Sequence, residues 1–185
     1  HRPNYWRLDG RPYLSIFDTT LFLRQLVAER AAEAIRRARA AAGDLHLAAI
    51  DPAPEWRGLL GAIGFGSPTH YFYLPIWKGG PRIQDYGELA ARREREWGRW
   101  AAELPVPYFP SVSPGWDATP RGELQPTPRL ERYPWSPVVT GESPERFEAH
   151  VAAAAAFLRG RPGAPLFVAS LNEWSEGHYL EPDER

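Results

Sequence analysis

Two glutamates three residues apart, Glu173 and Glu176, are the side chains in this sequence best suited to acid–base chemistry. They follow an apolar run at 165–169 whose length and composition predict a buried strand. In sheets covered on both faces, ligand sites lie beyond the carboxyl ends of the strands, so both glutamates fall where such a site is expected. Two carboxylates held close together repel each other, and the pair can therefore divide into an acid and a base.

The spacing of the two glutamates decides whether they can face one cavity. A continuing strand would send Glu173 and Glu176 to opposite faces, because strand side chains alternate. A turn that begins near Glu173 brings both to one side, and Gly177 can adopt the positive φ that ends such a turn. Trp174, between them, offers an apolar surface on which a sugar ring can stack. The alternative is a surface turn in which both glutamates are solvated and Trp174 packs underneath.

Strand-like and helix-like segments alternate along the chain, which predicts parallel βαβ units. The segment 113–137 contains six prolines and few periodic apolar positions, so it is expected to be a long loop over the functional face. The predicted strands are 12–17, 45–50, 69–74, 106–112 and 165–169, with a sixth candidate at 137–140. The predicted helices are 21–42, 55–63, 84–104 and 144–158, the last capped by Ser143.

Composition and charge argue against several other functional classes. The formal net charge of −1 gives no reason to expect nucleic acid or an anionic membrane as a partner. The absence of cysteine excludes disulfides, a thiol nucleophile and thiolate metal sites. No segment is apolar for the roughly 18 residues that a membrane span needs. No pair of ligand residues has the close spacing of a dedicated metal site, so we expect neither a metal nor another cofactor.

Three motifs occur in order along the chain. They are 4–12 (NYWRLDGRP), 114–121 (PGWDATPR) and 172–183 (NEWSEGHYLEPD). Together they resemble the glycoside hydrolase family 99-like proteins, including the WbsX-like proteins described as glycosyltransferases. Because the three motifs extend over nearly the whole chain, the resemblance is far more specific than any one of them.

The resemblance implies a (β/α)8 barrel, a fold that needs about 250 residues. At 185 residues, the chain is then expected to form one catalytic domain that is only part of a barrel. It would cover about five to six C-terminal βα units, and the remainder of the same barrel would lie upstream of His1. A complete small doubly wound sheet is the alternative.

The resemblance also implies a glycoside hydrolase that acts on glycosidic bonds of an oligo- or polysaccharide. In the endo-mannosidase members, the residue matching Glu173 removes a proton from the sugar 2-hydroxyl, which attacks the anomeric carbon and forms a 1,2-anhydro sugar. The residue matching Glu176 protonates the leaving oxygen and then activates water. Leu171 stands where many relatives carry tryptophan, so an aromatic platform is lost. Ser175 stands where the endo-mannosidases carry histidine, which speaks against mannosidase specificity but leaves both acids in place.

Two other functions remain open for this family resemblance. One is a glycosyltransferase in bacterial surface polysaccharide assembly, such as O-antigen or lipopolysaccharide biosynthesis. The sequence has no glycine-rich phosphate loop or Asp-x-Asp motif to hold a nucleotide sugar, which counts against it. The other is a glycan-binding domain without catalytic activity.

Further candidates for sugar binding lie beside the acids and in the loop 113–137. Asn172 and Tyr179 belong to the motif that carries the glutamates, and Tyr179 could equally be an ordinary loop residue. Trp116 could stack on a sugar, with Asp117 and Arg121 binding hydroxyls or an acidic group. Alternatively, Asp117 and Arg121 pair with each other to hold the loop.

A last set of candidates comes from the ends and faces of the predicted strands. Asp18 and Asp51 each close a strand and would lie at the rim of the site, although for Asp18 an N-cap of the following helix is favoured. Tyr71 and Tyr73 share one face of the strand predicted at 69–74, where they could contact a sugar. Core packing explains most aromatic residues of this kind.

Overall fold

The computed structural model describes residues 4–123, 125 and 127–182. Leu124 and Pro126 of the predicted loop, and Asp183 of the motif at 172–183, lie outside the described residues. The chain divides into two compact units. The first takes its described residues from 1–71, 99–110 and 161–165, and the second from 72–98, 111–160 and 166–185.

The first unit contains a four-stranded sheet within its described residues. The order is β1-β2-β3-β4, with β1 antiparallel to β2 and the other neighbours parallel. The parallel pairs confirm the βαβ units predicted for this part of the chain. The strands are β1 (Arg7–Leu8), β2 (Arg11–Ile16), β3 (His46–Ile50) and β4 (Ser67–Thr69).

The long helix α1 (Thr19–Ala42) connects β2 to β3. Its N-cap is Asp18, whose Oδ1 accepts a hydrogen bond from the Leu21 N–H at 2.7 Å, as favoured from the sequence. The helix is interrupted at Val27, which has a φ of 55° and is half exposed. A positive φ interrupts the helical period, so Val27 points to solvent while Leu23 and Ile35 are buried.

Two sequence predictions for the first unit need correction. The helix predicted at 55–63 is two single turns, α2 (Pro54–Arg57) and α3 (Leu60–Ile63), separated at Gly58 and Leu59. The strand predicted at 69–74 ends at Thr69, because its partner β3 ends at Ile50 and Asp51 turns away with a φ of 46°. Without a strand beyond Thr69, the argument that Tyr71 and Tyr73 share a strand face fails.

Short strands in the second unit form three pairs among its described residues. They are β5 (Ile83–Asp85), β6 (Ser111–Val112), β7 (Val138–Thr140), β8 (Phe167–Val168), β9 (Asn172–Glu173) and β10 (His178–Tyr179). The β5–β7 and β6–β8 pairs are parallel, and β9–β10 is an antiparallel hairpin. The parallel pairs again follow the predicted alternation of strands and helices.

The sequence misplaced two boundaries next to these strands. The helix predicted at 84–104 is α4 (Tyr86–Glu103), because Ile83–Asp85 pairs as β5 and the Asp85 Oδ1 accepts the Glu88 N–H at 3.0 Å. The strand predicted at 106–112 is reduced to β6. Pro107 and Pro110 explain the loss, since proline has no N–H to donate to a neighbouring strand.

The helix α5 (Pro144–Phe157) packs on the part of α4 that belongs to the second unit. It begins as predicted, with the Ser143 Oγ accepting the Arg146 N–H at 3.3 Å. Buried His150 stacks on Trp97 with ring centroids 5.3 Å apart, and its Nδ1 lies 2.9 Å from Glu94 Oε1. Within the part of the chain that the structure describes, no helix is both long and apolar enough to cross a membrane.

Candidate active site

The predicted turn between the two glutamates is present. Glu173 is the last residue of β9, and Trp174–Glu176 forms a single 3-10 turn. Gly177 has a φ of 61° and reverses the chain into β10, so that His178 lies opposite Glu173 in the hairpin register. The turn and the role of Gly177 are confirmed, because both follow from local residue types.

Gly177 is required by space as well as by conformation. A Cβ at this position would lie 2.7 Å from the backbone N of Asp117 and 3.0 Å from its carbonyl O. The Asp117 N–H also donates to the carbonyl of Glu176 at 2.9 Å. The glutamate turn is therefore held directly against the loop motif at 114–121.

Both glutamates contact one guanidinium, that of Arg121. Its Nη1 donates to Glu176 Oε1 at 2.6 Å, and its Nη2 donates to Glu173 Oε2 at 3.3 Å. A third hydrogen bond joins Nε to the Ser175 Oγ at 2.9 Å. The two carboxylates therefore face the same side of the turn, and one positive charge lies between them.

Glu176 is more enclosed than Glu173 and has more partners. Its side chain is 11% exposed, against 37% for Glu173. The Tyr133 hydroxyl donates to Glu176 Oε1 at 2.9 Å, and His178 Nε2 lies 3.1 Å from Oε2. Arg121 Nη1 also donates to the Tyr133 oxygen at 2.8 Å. Hydrogen-bond partners on both oxygens therefore fix the orientation of the Glu176 carboxylate, whereas the more exposed carboxylate of Glu173 can be reached by an incoming molecule.

The charge states of the neighbouring groups suit this arrangement. The hydrogen bond with Tyr133 raises the pKa of Arg121, and the charges of Glu176 and Glu173 act in the same direction. Burial raises the pKa of Tyr133, and its hydrogen bond to Glu176 adds to the effect. At neutral pH, Arg121 thus stays cationic and Tyr133 keeps the proton that it donates.

Trp174 presents an aromatic face beside the acids. Its ring stacks on Tyr179 with centroids 3.8 Å apart, and its Nε1 donates to Glu181 Oε2 at 2.6 Å. The residue is 43% exposed, so it does not pack underneath the turn. The alternative of a turn with two solvated glutamates is therefore wrong, since Glu176 is buried and Trp174 is not. Asn172 is exposed on β9, opposite Tyr179.

The other loop candidates, Trp116 and Asp117, contact residues that surround the two glutamates. Trp116 is buried, with its ring 4.4 Å from Phe72 and 5.1 Å from His178. The Asp117 Oδ1 accepts the Thr119 N–H at 2.9 Å, which forms an Asx turn directly before the 3-10 turn that carries Arg121. Arg121 itself binds the glutamates, an arrangement that neither interpretation from the sequence included.

Tyr73, in the second unit, packs on α4. Its hydroxyl donates to Glu96 Oε2 at 2.5 Å, and the guanidinium of Arg93 lies 4.1 Å from the centre of its ring. Arg93 in turn donates to Glu96 at 2.7 Å and to two backbone carbonyls. These contacts account for Tyr73 as part of a hydrogen-bonded network, and sugar binding by it stays a prediction.

Asp51 and Tyr71 lie in the first unit, at the ends of β3 and β4. His70 Nδ1 lies 2.5 Å from Asp51 Oδ1, and the Tyr71 N–H donates to Asp51 Oδ2 at 3.2 Å. The exposed ring of Phe17 meets Tyr71 edge-on at 5.0 Å. Asp51 therefore ties two strand ends together and is not the N-cap of α2, which is Ala53. A role in sugar binding stays a prediction for Asp51 and Tyr71.

Sequence reasoning missed Tyr133 as a functional residue. The one sequence feature that could have pointed to Tyr133 is its position in the proline-rich loop, in the run Tyr-Pro-Trp-Ser-Pro at 133–137. His178 was visible two residues after Glu176, but nothing in the sequence said which way its ring points. Among residues 4–123, 125 and 127–182, no group of three or more His, Cys, Asp or Glu side chains could hold a metal ion.

Solved structures share the fold of this chain. A glycoside hydrolase-like protein matches with a TM-score of 0.64 and 17% identity, over 97% of this chain and 49% of that one. The GH99 endo-alpha-mannosidase from Bacteroides thetaiotaomicron gives 0.55 and 18%, over 97% and 47%. Its complex with BIS-TRIS-propane gives 0.55 and 19%, over 97% and 50%. The chain has the α/β fold of these glycoside hydrolase structures and spans about half their length.

A family model identifies the sequence more closely. The model described as "Glycosyltransferase WbsX" matches residues 65–185, which is more than half of the chain and includes both glutamates. The chain therefore belongs to the WbsX glycosyltransferase-like family. Among proteins with curated descriptions, none matches it.

Proposed function

We propose that the protein is a glycoside hydrolase that cleaves glycosidic bonds of an oligo- or polysaccharide, with Glu173 and Glu176 as its acid–base pair. The observation that supports this most directly is the shared guanidinium of Arg121, 2.6 Å from Glu176 and 3.3 Å from Glu173. It holds two carboxylates towards the same side of one turn, beside the exposed face of Trp174. Membership of the WbsX family and the glycoside hydrolase fold agree with a carbohydrate substrate.

The two glutamates have different surroundings, and we assign them different roles. Glu173, with one contact to Arg121 and an open face, takes the proton from a sugar hydroxyl. Glu176 delivers a proton to the leaving oxygen and then activates water. If the sugar 2-hydroxyl is the nucleophile, the usual separation of about 5 Å between the carboxyl groups of retaining enzymes does not apply. General acid–base catalysis of this kind typically contributes about 10²–10⁴ in rate.

Arg121 must move before Glu176 can act as an acid. With Arg121, Tyr133 and His178 around it, the Glu176 carboxylate has hydrogen-bond partners on both oxygens. Neither oxygen is then free to meet the leaving oxygen of a sugar. We therefore propose that a bound sugar takes over part of the Arg121 contacts, which frees Glu176 Oε1 for proton transfer.

We further propose that the chain contributes about five to six βα units to a (β/α)8 barrel. The parallel pairs β2–β3, β3–β4, β5–β7 and β6–β8 support this, as does a match over 97% of the chain to about half of a glycoside hydrolase structure. In such barrels, catalytic residues come from the carboxyl ends of the strands. The glutamates, which follow β8, fit that rule.

A glycosyltransferase is the second candidate, because the family model carries that description. In this case the same acids would serve transfer from a nucleotide sugar in surface polysaccharide assembly. The sequence offers no recognisable phosphate loop for such a donor, which favours the hydrolase.

The roles of the glutamates are tested by exchanging each for glutamine. We expect Glu173→Gln and Glu176→Gln to lose turnover of a cleaved glycan while they retain its binding, followed by calorimetry. Arg24→Gln, which removes an exposed ion pair with Glu55 in the first unit, serves as the control and should retain both. Unchanged turnover in the two glutamine variants would refute the acid–base assignment, and a glycan bound but not cleaved by the unaltered protein would indicate a binding domain.

A further inference from the structure

We propose that Tyr133 is a positioning residue for Glu176, whose hydroxyl fixes the Oε1 side of the carboxylate together with Arg121. The hydroxyl lies 2.9 Å from Glu176 Oε1 and 2.8 Å from Arg121 Nη1. The hydroxyl therefore donates to Glu176 and accepts from Arg121 in one cluster of three side chains. The catalytic meaning of this inference rests on the proposed function, but the contact itself can be tested without any activity.

A hydrogen-bonded turn holds Tyr133 in place. We call residues 132–136 the Tyr133 turn. The N–H groups of Trp135 and Ser136 both donate to the Arg132 carbonyl, at 2.8 and 3.0 Å. The Trp135 carbonyl accepts from Arg82 Nε at 3.0 Å, and the Arg82 carbonyl accepts from the Val138 N–H at 2.7 Å. These bonds fasten the Tyr133 turn to the start of β7, so its position does not depend on the Glu176 contact alone.

The Tyr133 turn is also packed against the turn that carries Arg121. Trp135 is buried, and its indole occupies the space beside Gly122, where a Cβ would lie 2.6 Å from Nε1. Gly122 ends the 3-10 turn Thr119–Gly122, directly after Arg121. Trp135 on Gly122 therefore sets the distance between Tyr133 and Arg121. Any bulk at Gly122 would separate the two donors that share Glu176 Oε1.

This arrangement has a consequence for how Glu176 works. Arg121 is partly exposed and has to yield when a sugar binds, whereas Tyr133 is anchored by its own turn. Tyr133 can then keep the carboxyl group of Glu176 in one orientation while its charge changes, because a phenol can both donate and accept a hydrogen bond. It can accept from the carboxylic acid before Glu176 delivers its proton and donate to the carboxylate afterwards.

The contact is tested by titrating the phenol itself. Tyrosines labelled at Cζ would be followed by NMR as the pH is raised, with Tyr133→Phe used to identify the Tyr133 signal. The carboxylate of Glu176 helps to raise the pKa of Tyr133, so Glu176→Gln should lower that pKa, while Glu55→Gln should leave it unchanged. An equal Tyr133 pKa in the unaltered protein and in Glu176→Gln would overturn the proposal, even if the protein cleaves glycans.

The positioning role is tested by the kinetics of Tyr133→Phe. We expect kcat to fall about tenfold or more with little change in KM, since a hydrogen bond to a charged group is lost. Tyr5→Phe, which removes a hydroxyl bonded to the Tyr13 carbonyl, is the matched control. A folded Tyr133→Phe with an unchanged kcat would refute the role.

Failure of the inference and failure of the proposed function give different results. If no glycan is cleaved by any form of the protein, the hydrolase proposal fails, but the phenol titration still decides whether Tyr133 is coupled to Glu176. If glycans are cleaved and the titration shows no coupling, only the inference fails. Should Tyr133→Phe not fold, replacing each of the other seven tyrosines by phenylalanine in turn identifies the remaining signal as that of Tyr133. The titration of Glu176→Gln then remains decisive because it leaves Tyr133 in place.

Discussion

Replacement of Arg121 by methionine removes the guanidinium that Glu173 and Glu176 share and keeps most of the apolar stem. The contact with Glu173 joins side chains that are 40% and 37% exposed, so after solvent screening it contributes at most about 0.5 kcal/mol. The contact with the enclosed Glu176 is a charged hydrogen bond with one exposed partner, for which about 1–1.5 kcal/mol is reasonable. We expect Arg121→Met to lower the free energy of unfolding by about 1.5–2 kcal/mol.

The loss should be visible in thermal melts and should depend on salt. For a chain of this size, 1 kcal/mol corresponds to about 2–4 °C, so the Tm should fall by about 3–8 °C at low salt. Two carboxylates then face each other without a cation between them. Because salt screens that repulsion, the gap in Tm between Arg121→Met and the unaltered protein should narrow as ionic strength rises towards 1 M.

Two further variants separate this electrostatic effect from a loss of packing. Arg24→Met removes the exposed pair with Glu55 and should melt close to the unaltered protein. Adding Glu176→Gln to Arg121→Met removes one of the repelling charges and should recover part of the lost stability. The view that Arg121 balances the charges of the two carboxylates would be refuted if the difference in Tm between Arg121→Met and the unaltered protein did not depend on salt and was not reduced in the double variant.

Three other predictions follow from particular contacts. Gly177→Ala should destabilise the protein by about 2 kcal/mol or more, because a Cβ would meet Asp117 as well as strain the backbone. Gly10→Ala, where a Cβ would have open space, is the control and should cost only about 1 kcal/mol in thermal melts. Equal losses of stability in the two variants would contradict the clash at Gly177. Burial lowers the pKa of His150, so the unfolded chain binds its proton more readily and stability should fall as the pH drops from about 7 to 5. His150→Gln should flatten that slope in melts across the same range, and an unchanged slope would count against it. Trp174→Ala should weaken glycan binding, measured by calorimetry, by about tenfold, because the exposed indole stacks on a sugar. Equal glycan affinity in Trp174→Ala and the unaltered protein would show that Trp174 is not part of the binding site.

Local features of the fold were predictable where short-range signals decide them. Asp18 and Ser143 cap helices because their side chains accept N–H groups three residues on, which the sequence alone displays. Gly177 ends the glutamate turn because few other residues adopt a positive φ. By contrast, the strand predicted at 69–74 failed because its length depends on where β3 ends, and a pattern within one segment does not carry that information.

The arrangement of the candidate site illustrates the same limit. Glu173 and Glu176 were predicted to share a side because their spacing is local. Arg121 lies 55 positions before Glu176, and Tyr133 lies 43 positions before it, so no periodicity connects them. Arg121 was expected to bind substrate or Asp117, and Tyr133 was not singled out. Contacts of this kind depend on how the loop 113–137 folds back onto the hairpin β9–β10, which the residue types do not specify.

The most direct test of the proposed hydrolase is the release of new reducing ends in the absence of any nucleotide sugar. The unaltered protein would be incubated with α-mannosyl oligosaccharides and bacterial polysaccharides, beside Glu176→Gln. We predict release by the unaltered protein and none by the variant, which would identify a hydrolase that depends on Glu176. No release under these conditions, followed by a new product only when a nucleotide sugar is added, would contradict the hydrolase and identify a glycosyltransferase.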